Sequence, residues 1–431
     1  MSEPALKEVP EPQGEYKDLY EIGEIPPLGH VPKKMHAWAI RQERHGPPEE
    51  AMQLEVVPTW ELDSHDVLVL VMAAGVNYNG VWASLGQPIS PIDGHKNPYH
   101  IAGSDASGIV WAVGSKVKAW KVGDEVVVHC NQDDGEDEEC NGGDPMLSTS
   151  QRIWGYETPD GSFAQFTRVQ SQQLMPRPRH LSWEESACYT LTLATAYRML
   201  FGHRPHILRP GHNVLVWGAS GGLGSFAVQL CATAGANAIG VISDDSKKDF
   251  VMSLGAKGVI NRKNFDCWGE LREVGSEEYN EWFKEARKFG AAIWDITGKG
   301  NNVDFVFEHP GEATFPVSTF VVRRGGMVVF CAGTSGYKIT MDARYVWMHQ
   351  KRIQGSHFAH LKQAAQANRL VIERRIDPCM SEVFPWAQIP KAHTRMWNNE
   401  HAPGNMAVLV NTPTTGLKTL DDVIEAGHDA A

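Results

Sequence analysis

The stretch from Val214 to Leu230, Val-Leu-Val-Trp-Gly-Ala-Ser-Gly-Gly-Leu-Gly-Ser-Phe-Ala-Val-Gln-Leu, constrains the fold more than any other part of the chain. An apolar strand runs into a glycine turn, and the turn opens directly into an amphipathic helix. A helix N-terminus presents unpaired N–H groups and the positive end of the helix dipole, which suits an anion. Gly218, Gly221 and Gly224 form a variant of the dinucleotide spacing G-x-G-x-x-G, in which the glycines give a tight turn and close access to a pyrophosphate. Further on, Ala238 to Ser243 reads as the second strand of a βαβ unit. The segment Gly218, Ala219, Ser220, Gly221, Gly222, Leu223, Gly224 is therefore expected to cradle a dinucleotide.

The end of the second strand bears on which dinucleotide. Folds that bind NAD usually place an acidic residue there for the ribose 2′-hydroxyl. This chain has Ser243, then Lys247 and Lys248, with Arg262 after the next short strand. A hydroxyl among cations suits a 2′-phosphate, because charge-assisted hydrogen bonds to phosphate are strong. Asp244 and Asp245 argue the other way, since either could face a ribose. The balance favours NADPH, held by Ser243, Lys247 and Arg262.

At 431 residues the chain has room for two cores. Its net charge of −12 argues against a nucleic-acid surface. No apolar run reaches the ~20 residues of a membrane span, and the polar start lacks a signal-peptide core. Seven scattered cysteines fit reduced thiols in the cytoplasm better than a disulfide framework. Residues 1–34 read as a Pro- and Glu-rich arm. Strand-like runs at 66–72, 108–113 and 124–128 follow, joined by turns. From about residue 183 helices alternate with apolar strands, which indicates a doubly wound parallel α/β sheet. Residues 404–410 read as a strand that rejoins the first unit. The expected division is a β-rich domain from 35–185 and 365–431, with a Rossmann domain at 186–364. A charged, helix-like insertion occupies 266–303, more chain than a βαβ crossover needs.

This order, with Gly75-Val-Asn77-Tyr78-Asn79, Gly103-Ser104-Asp105 and the glycine loop, resembles the medium-chain dehydrogenase/reductase superfamily. The resemblance implies a GroES-like β-barrel catalytic domain beside the Rossmann domain. Zinc-dependent members of that superfamily carry Gly-His-Glu where this chain has Gly103-Ser104-Asp105, and a cysteine within the stretch Asn77-Tyr78-Asn79. The paired cysteines of their structural lobe are also missing, for Cys130 and Cys140 only flank an acidic loop. The expectation is a site without metal.

Several further segments are similar to those of the crotonyl-CoA carboxylase/reductases: Trp154-Gly155-Tyr156-Glu157-Thr158, residues 171–176 and 181–185, Glu308-His309-Pro310-Gly311, and Gly355-Ser356-His357-Phe358. They span about residues 35 to 410. The resemblance implies that the chain uses NADPH to reduce a 2-enoyl-CoA and captures CO2 at the α-carbon, turning crotonyl-CoA into ethylmalonyl-CoA. It implies a CO2 pocket made of an Asn, an aromatic-Glu pair and a His. These map to Asn77 or Asn79 (Asn79 preferred), to Tyr156 and Glu157, and to His357. The family aromatic is expected to be Phe, so the Tyr156 hydroxyl is a departure that could donate into the pocket or supply a proton. Lys351 and Arg352, with Arg323 and Arg324, are candidates for the CoA phosphates, Trp82 for a place near the nicotinamide, and His309 for a cofactor contact. The resemblance also implies a homo-oligomer, tetramer or dimer. The rival readings are a 2-enoyl thioester reductase that protonates instead of carboxylating, and a nucleotide-binding protein without catalysis.

Overall fold

A computed structural model of the chain describes residues 16–430. Residues 1–15 of the expected arm lie outside the described residues. The arm from Tyr16 onward lies against the barrel: the Trp111 indole donates to the His30 carbonyl at 2.7 Å, and Gln165 Nε2 donates to the Tyr20 carbonyl at 3.1 Å.

One sheet is wholly parallel. From edge to edge it runs Gly258–Asn261, Asn237–Ile242, Asn213–Val216, Val303–Glu308, Val322–Phe330 and Arg352–Gly355. Val214, Leu215 and Val216 are fully buried, because helices cover both faces and a strand so covered is apolar throughout. The order reverses between Asn213–Val216 and Val303–Glu308, whose loops diverge and leave the crevice where doubly wound sheets bind ligands. Gly218 and His309 stand at the two lips of that crevice.

The second large sheet has seven strands and centres on Asp66–Val76, which pairs antiparallel with Ala106–Val113 and with Phe166–Gln170. Asn405–Leu409 also pairs antiparallel with Asp66–Val76, Met406 opposite Val76 and Leu409 opposite Ala73, so the end of the chain returns to the first sheet. Smaller sheets complete this unit: Gln53–Pro58, Lys34–Ile40 and His100–Ile101 in one, Asn131–Gln132 and Arg152–Ile153 in the other.

The insertion forms the helix Glu277–Thr297, with the Ser276 hydroxyl capping its N-terminus through the Tyr279 amide at 3.1 Å. Tyr279, Trp282, Ala286, Phe289 and Ile293 recur three and four apart, so one stripe is buried while the remaining faces stay charged. That stripe covers the residue before the glycine turn. Phe289 stacks on Trp217 at a centroid separation of 5.8 Å and meets Phe265 and Trp268 edge-on. The insertion is thus packing for the nucleotide loop from behind.

Phe289→Ala is expected to lower global stability by about 3–5 kcal/mol, since the ring is fully buried and its neighbours are rigid aromatics. Urea denaturation would read the loss as a lower midpoint with an unchanged slope.

Candidate active site

A cavity of about 590 Å³ opens between the two sheets. Gly218 forms its floor with φ of +54°, a backbone that favours glycine. A Cβ there would lie 2.7 Å from His309 Nε2, which itself bonds the Trp217 carbonyl at 3.1 Å. Gly221, Gly222 and Leu223 open the helix Gly222–Thr233 into the cavity, and its first-turn amides have no partners within the helix. Ser220 also lines the wall. Ala219 and Gly224 sit behind it, Gly224 so close to the Gly218 carbonyl that a side chain would collide. The loop is stitched to the other sheet where the Gly404 amide donates to the Ser220 carbonyl at 2.9 Å.

At the far end of the cavity stand Ser243, Lys247 and Arg262. The two aspartates that counted against a 2′-phosphate are committed elsewhere. Asp244 Oδ1 accepts from the Ser246 amide at 3.0 Å, and Asp245 Oδ1 accepts from Asn261 Nδ2 at 3.0 Å. What remains facing the cavity is a hydroxyl and two cations, and a phosphorylated dinucleotide fits them.

At the near end, Asn77, Asn79, Trp82 and His357 line the same cavity. Asn77 stands at the N-cap position of the helix Tyr78–Leu85 and donates to Asp105 Oδ2 at 2.8 Å, while Asn79 donates to Ser104 Oγ at 2.7 Å. Each amide keeps its carbonyl and one N–H uncommitted. The imidazole of His357 has no hydrogen-bond partner among the described residues and lies against the Phe358 ring, at a centroid separation of 4.6 Å. Desolvation, with a smaller contribution from the Arg198 guanidinium, holds its pKa below the usual value, so the ring is neutral at pH 7.

Asp105 is fully buried and accepts from Asn77, Thr190 Oγ1 and the Leu191 amide. Desolvation pushes its pKa up to about 7 against those three donors. Glu308 does the same under the other lip. It accepts from Ser318 Oγ at 2.6 Å, Thr314 Oγ1 at 2.8 Å and the Gly311 amide at 3.1 Å, and burial pushes it up to about 7. Trp217 Nε1 donates in turn to Ser318 Oγ at 2.9 Å, so this carboxyl ties the 309–311 turn to the glycine loop.

Several expected residues are not in the cavity wall. Lys351 Nζ donates to the carbonyls of Thr319 and Phe320 at 2.7 and 3.1 Å, capping the helix Phe315–Val321. Arg352 bonds Gln354 and the Arg204 carbonyl at the edge of the parallel sheet. A half-buried cation must satisfy its donors, and both found carbonyls close by; neither lines this cavity. Arg323 is likewise paired, with Asp304 at 2.6 Å. Tyr156 and Glu157 are also absent from the lining. The Tyr156 hydroxyl donates to the Ile89 carbonyl at 3.1 Å, and Glu157 Oε2 accepts from the Ile153 amide at 2.8 Å, closing its own turn. Burial pushes the Tyr156 phenol up to about 12.

Sequence reasoning missed Thr192, Trp397 and His401, all of which line the cavity. The Thr192 hydroxyl is buried without a partner among the described residues. Trp397 and His401 precede the stitch at Gly404, and nothing in the local pattern marks them.

The two sheets and the crevice between them define a medium-chain dehydrogenase/reductase. Residues 63–179 match the alcohol dehydrogenase GroES-like domain, and residues 222–373 match the zinc-binding dehydrogenase family. The chain is 78% identical to the crotonyl-CoA carboxylase/reductase of Cereibacter sphaeroides, over 96% of each chain. A solved crotonyl-CoA carboxylase/reductase at 78% identity superposes with a TM-score of 0.94, covering 96% of this chain and 97% of that one. The 2-octenoyl-CoA carboxylase reductase CinF, solved with NADP and 2-octenoyl-CoA, is 37% identical with a TM-score of 0.84 and 92% of each chain covered. The chain belongs to the crotonyl-CoA carboxylase/reductase family.

The zinc in the name of one matching family does not fit these residues. The positions concerned fall within Asn77-Tyr78-Asn79 and at Ser104 and Asp105, where Asn77 is already bonded to Asp105 and Asn79 to Ser104. No group of three or more His, Cys, Asp or Glu among the described residues could hold a metal ion.

The raised Glu308 pKa has a consequence for stability. A carboxyl that titrates near 7 when folded and near 4.5 when unfolded stabilises most below the lower value, and that advantage is lost as pH rises through about 7. The stability margin of the wild type over Glu308→Gln should therefore shrink between pH 5 and pH 8. Thermal melts at both pH values would show it; a constant margin would mean that Glu308 stays ionised throughout.

Proposed function

We propose that this chain carries out NADPH-dependent reductive carboxylation of a 2-enoyl-CoA, with crotonyl-CoA and CO2 giving ethylmalonyl-CoA. The observation that carries the reading is one cavity holding a dinucleotide loop at its middle and uncommitted amides with a neutral imidazole at its end. NADPH, when bound, supplies the hydride for the β-carbon of the enoyl thioester. The amides of Gly222 and Leu223 hold its pyrophosphate, and Ser243, Lys247 and Arg262 hold its 2′-phosphate. His309 and Trp82 border the space between.

Hydride at the β-carbon leaves an electron pair on the α-carbon. In a carboxylase that pair forms a bond to the carbon of CO2, and negative charge ends on the new carboxylate. CO2 has no charge, so it is held by weak donors in a shaped, dry pocket. The uncommitted amide of Asn79 and the imidazole of His357 are such donors, with Asn77 beside them. A protonating reductase would need an acid at the same place. The polar groups of this cavity end are amides, hydroxyls, the Tyr78 phenol, made a weaker acid by burial, and an imidazole held below its usual pKa. The Tyr156 proton is turned away to the Ile89 carbonyl, which supports carboxylation over simple reduction. Tyr156 and Glu157 enter the reading as the wall beyond the pocket, where Glu157 fixes the turn that bears the aromatic.

The reading takes the chain as a cytosolic homo-oligomer divided near residues 185 and 365. It is consistent with two observations: no helix among the described residues is long and apolar enough to cross a membrane, and Trp347 and Met348 stand exposed beside the last strand of the parallel sheet.

Incubation with NADPH and crotonyl-CoA, with and without bicarbonate and carbonic anhydrase, is expected to give a bicarbonate-dependent dicarboxylic acyl-CoA by mass. Butyryl-CoA alone at saturating CO2 would overturn the carboxylase reading. Replacing both Lys247 and Arg262 with Ala should raise the KM for NADPH by about 10- to 100-fold while changing that for NADH little, because charge-assisted bonds to phosphate are lost. Steady-state kinetics with both cofactors checks this.

A further inference from the structure

The turn that carries His357 is strained and clamped. Phe358 has φ of +40°, a left-handed backbone that a bulky side chain adopts only when its surroundings impose it. On one side, Ser356 Oγ meets His203 Nε2 at 3.0 Å, and the Ser356 amide donates to the Phe330 carbonyl at 2.8 Å. On the other side, the Ala359 carbonyl accepts from His129 Nε2 at 2.6 Å. His203 follows the helix Thr190–Phe201, whereas His129 follows the strand Glu125–Val128 of the other sheet. The clamp therefore closes from both halves of the molecule.

His129 is buried and its Nδ1 has no partner, so the bond to Ala359 is the only one its ring makes among the described residues. An unsatisfied nitrogen in the core is costly, and an apolar side chain would fill the space without that cost. Just beyond, His360 caps the helix Leu361–Ile372 in a reciprocal pair with Gln363, and Gln363 accepts from Arg198, which is paired with Asp144 at 2.6 Å. Neither His129 nor His203 lines the cavity.

We propose that His129 and His203 are positioning residues for His357: they hold Ser356 and Ala359 so that Phe358 stays left-handed and the His357 imidazole projects into the cavity with both ring nitrogens free. The inference rests on the reading of His357 as a CO2-holding residue. It assigns the two buried histidines to the choice between carboxylated and protonated product, since a displaced His357 lets CO2 leave before the α-carbon reacts.

The test measures the ratio of ethylmalonyl-CoA to butyryl-CoA at fixed CO2 for the wild type, His357→Ala, Ser356→Ala, His203→Ala, His203→Gln and the Ser356→Ala/His203→Ala double variant. Ser356→Ala and His203→Ala are each expected to lower the ratio by about ten-fold, with the KM for NADPH within about two-fold of wild type. The double variant should be no worse than either single one, because one bond is lost in all three. His203→Gln, which keeps a hydrogen-bonding group of similar reach, should recover most of the ratio. His129→Asn and His129→Ala are compared in the same way after a melt confirms folding. An unchanged ratio in Ser356→Ala and His203→Ala, with His357→Ala still shifted, overturns the inference and leaves the site reading standing. Loss of both products in constant proportion also overturns it, since that is what a merely structural clamp would do. An unchanged ratio in His357→Ala takes down the site reading and the inference with it.

Discussion

The cavity between the two sheets is arranged around the absence of a side chain at Gly218. The strand Asn213–Val216 must leave the sheet and turn at once, while His309 approaches from the neighbouring strand and Gly224 presses its helix onto the turn. A side chain at Gly218 would displace His309, and one at Gly224 would lift the helix off the turn. The stitch from Gly404 to Ser220, one of the ties between the two sheets that enclose the cavity, depends on the same turn. The insertion at 277–297 belongs to the same constraint. Trp217 precedes the glycine turn and has to be covered on the far face of the sheet, which Phe289 does.

Two buried carboxyls hold the sides of the cavity, one in each half. Asp105 gathers Asn77 and the first turn of the helix Thr190–Phe201; Glu308 gathers the 309–311 turn and, through Ser318, Trp217. Burying a carboxylate costs several kcal/mol, and three donors each offset that cost in part, leaving both carboxyls raised to about 7. Removing any one donor would leave the others facing an under-satisfied group, at about 1–3 kcal/mol. Such networks fix geometry better than apolar packing does, because a displaced partner cannot be replaced by a near neighbour. The Asn77 amide is oriented by Asp105 and the Asn79 amide by the Ser104 hydroxyl: one N–H of each is anchored, and both side chains line the cavity.

What was legible in the sequence was what local pattern determines. The glycine turn, the strands at 303–308 and 405–409, and the cationic end at Ser243, Lys247 and Arg262 all announce themselves through spacing and composition. Asp244 and Asp245 looked equivocal because a sequence does not show that one caps a turn and the other reaches Asn261. That Lys351 and Arg352 stand outside the cavity wall was hidden for the same reason. A cation beside an apolar strand reads as a phosphate ligand until the end of a distant helix, at Thr319 and Phe320, is seen to claim it. Trp397 and His401 were invisible because their place is set by the return of the chain to the first sheet. Asn77 and Asn79 could not be separated since a helix cap and a residue within the first turn can share a wall.

The chemistry of the pocket follows from what these residues are unable to do. An α-carbanion takes whichever electrophile is nearest, and a proton from water or an acid wins unless both are kept away. At the reacting end of this cavity stand two carboxamides, which do not ionise, the Tyr78 phenol, whose pKa burial raises, and an imidazole held below its usual pKa by desolvation and by Arg198. The phenol of Tyr156 is a weaker acid than usual and its proton is engaged with Ile89. Where the family resemblance leads one to expect Phe, a hydroxyl is thus compatible with carboxylation as long as that bond to Ile89 persists. Tyr156 stands outside the wall of the cavity, and the phenol that borders it is Tyr78, made a weaker acid by burial.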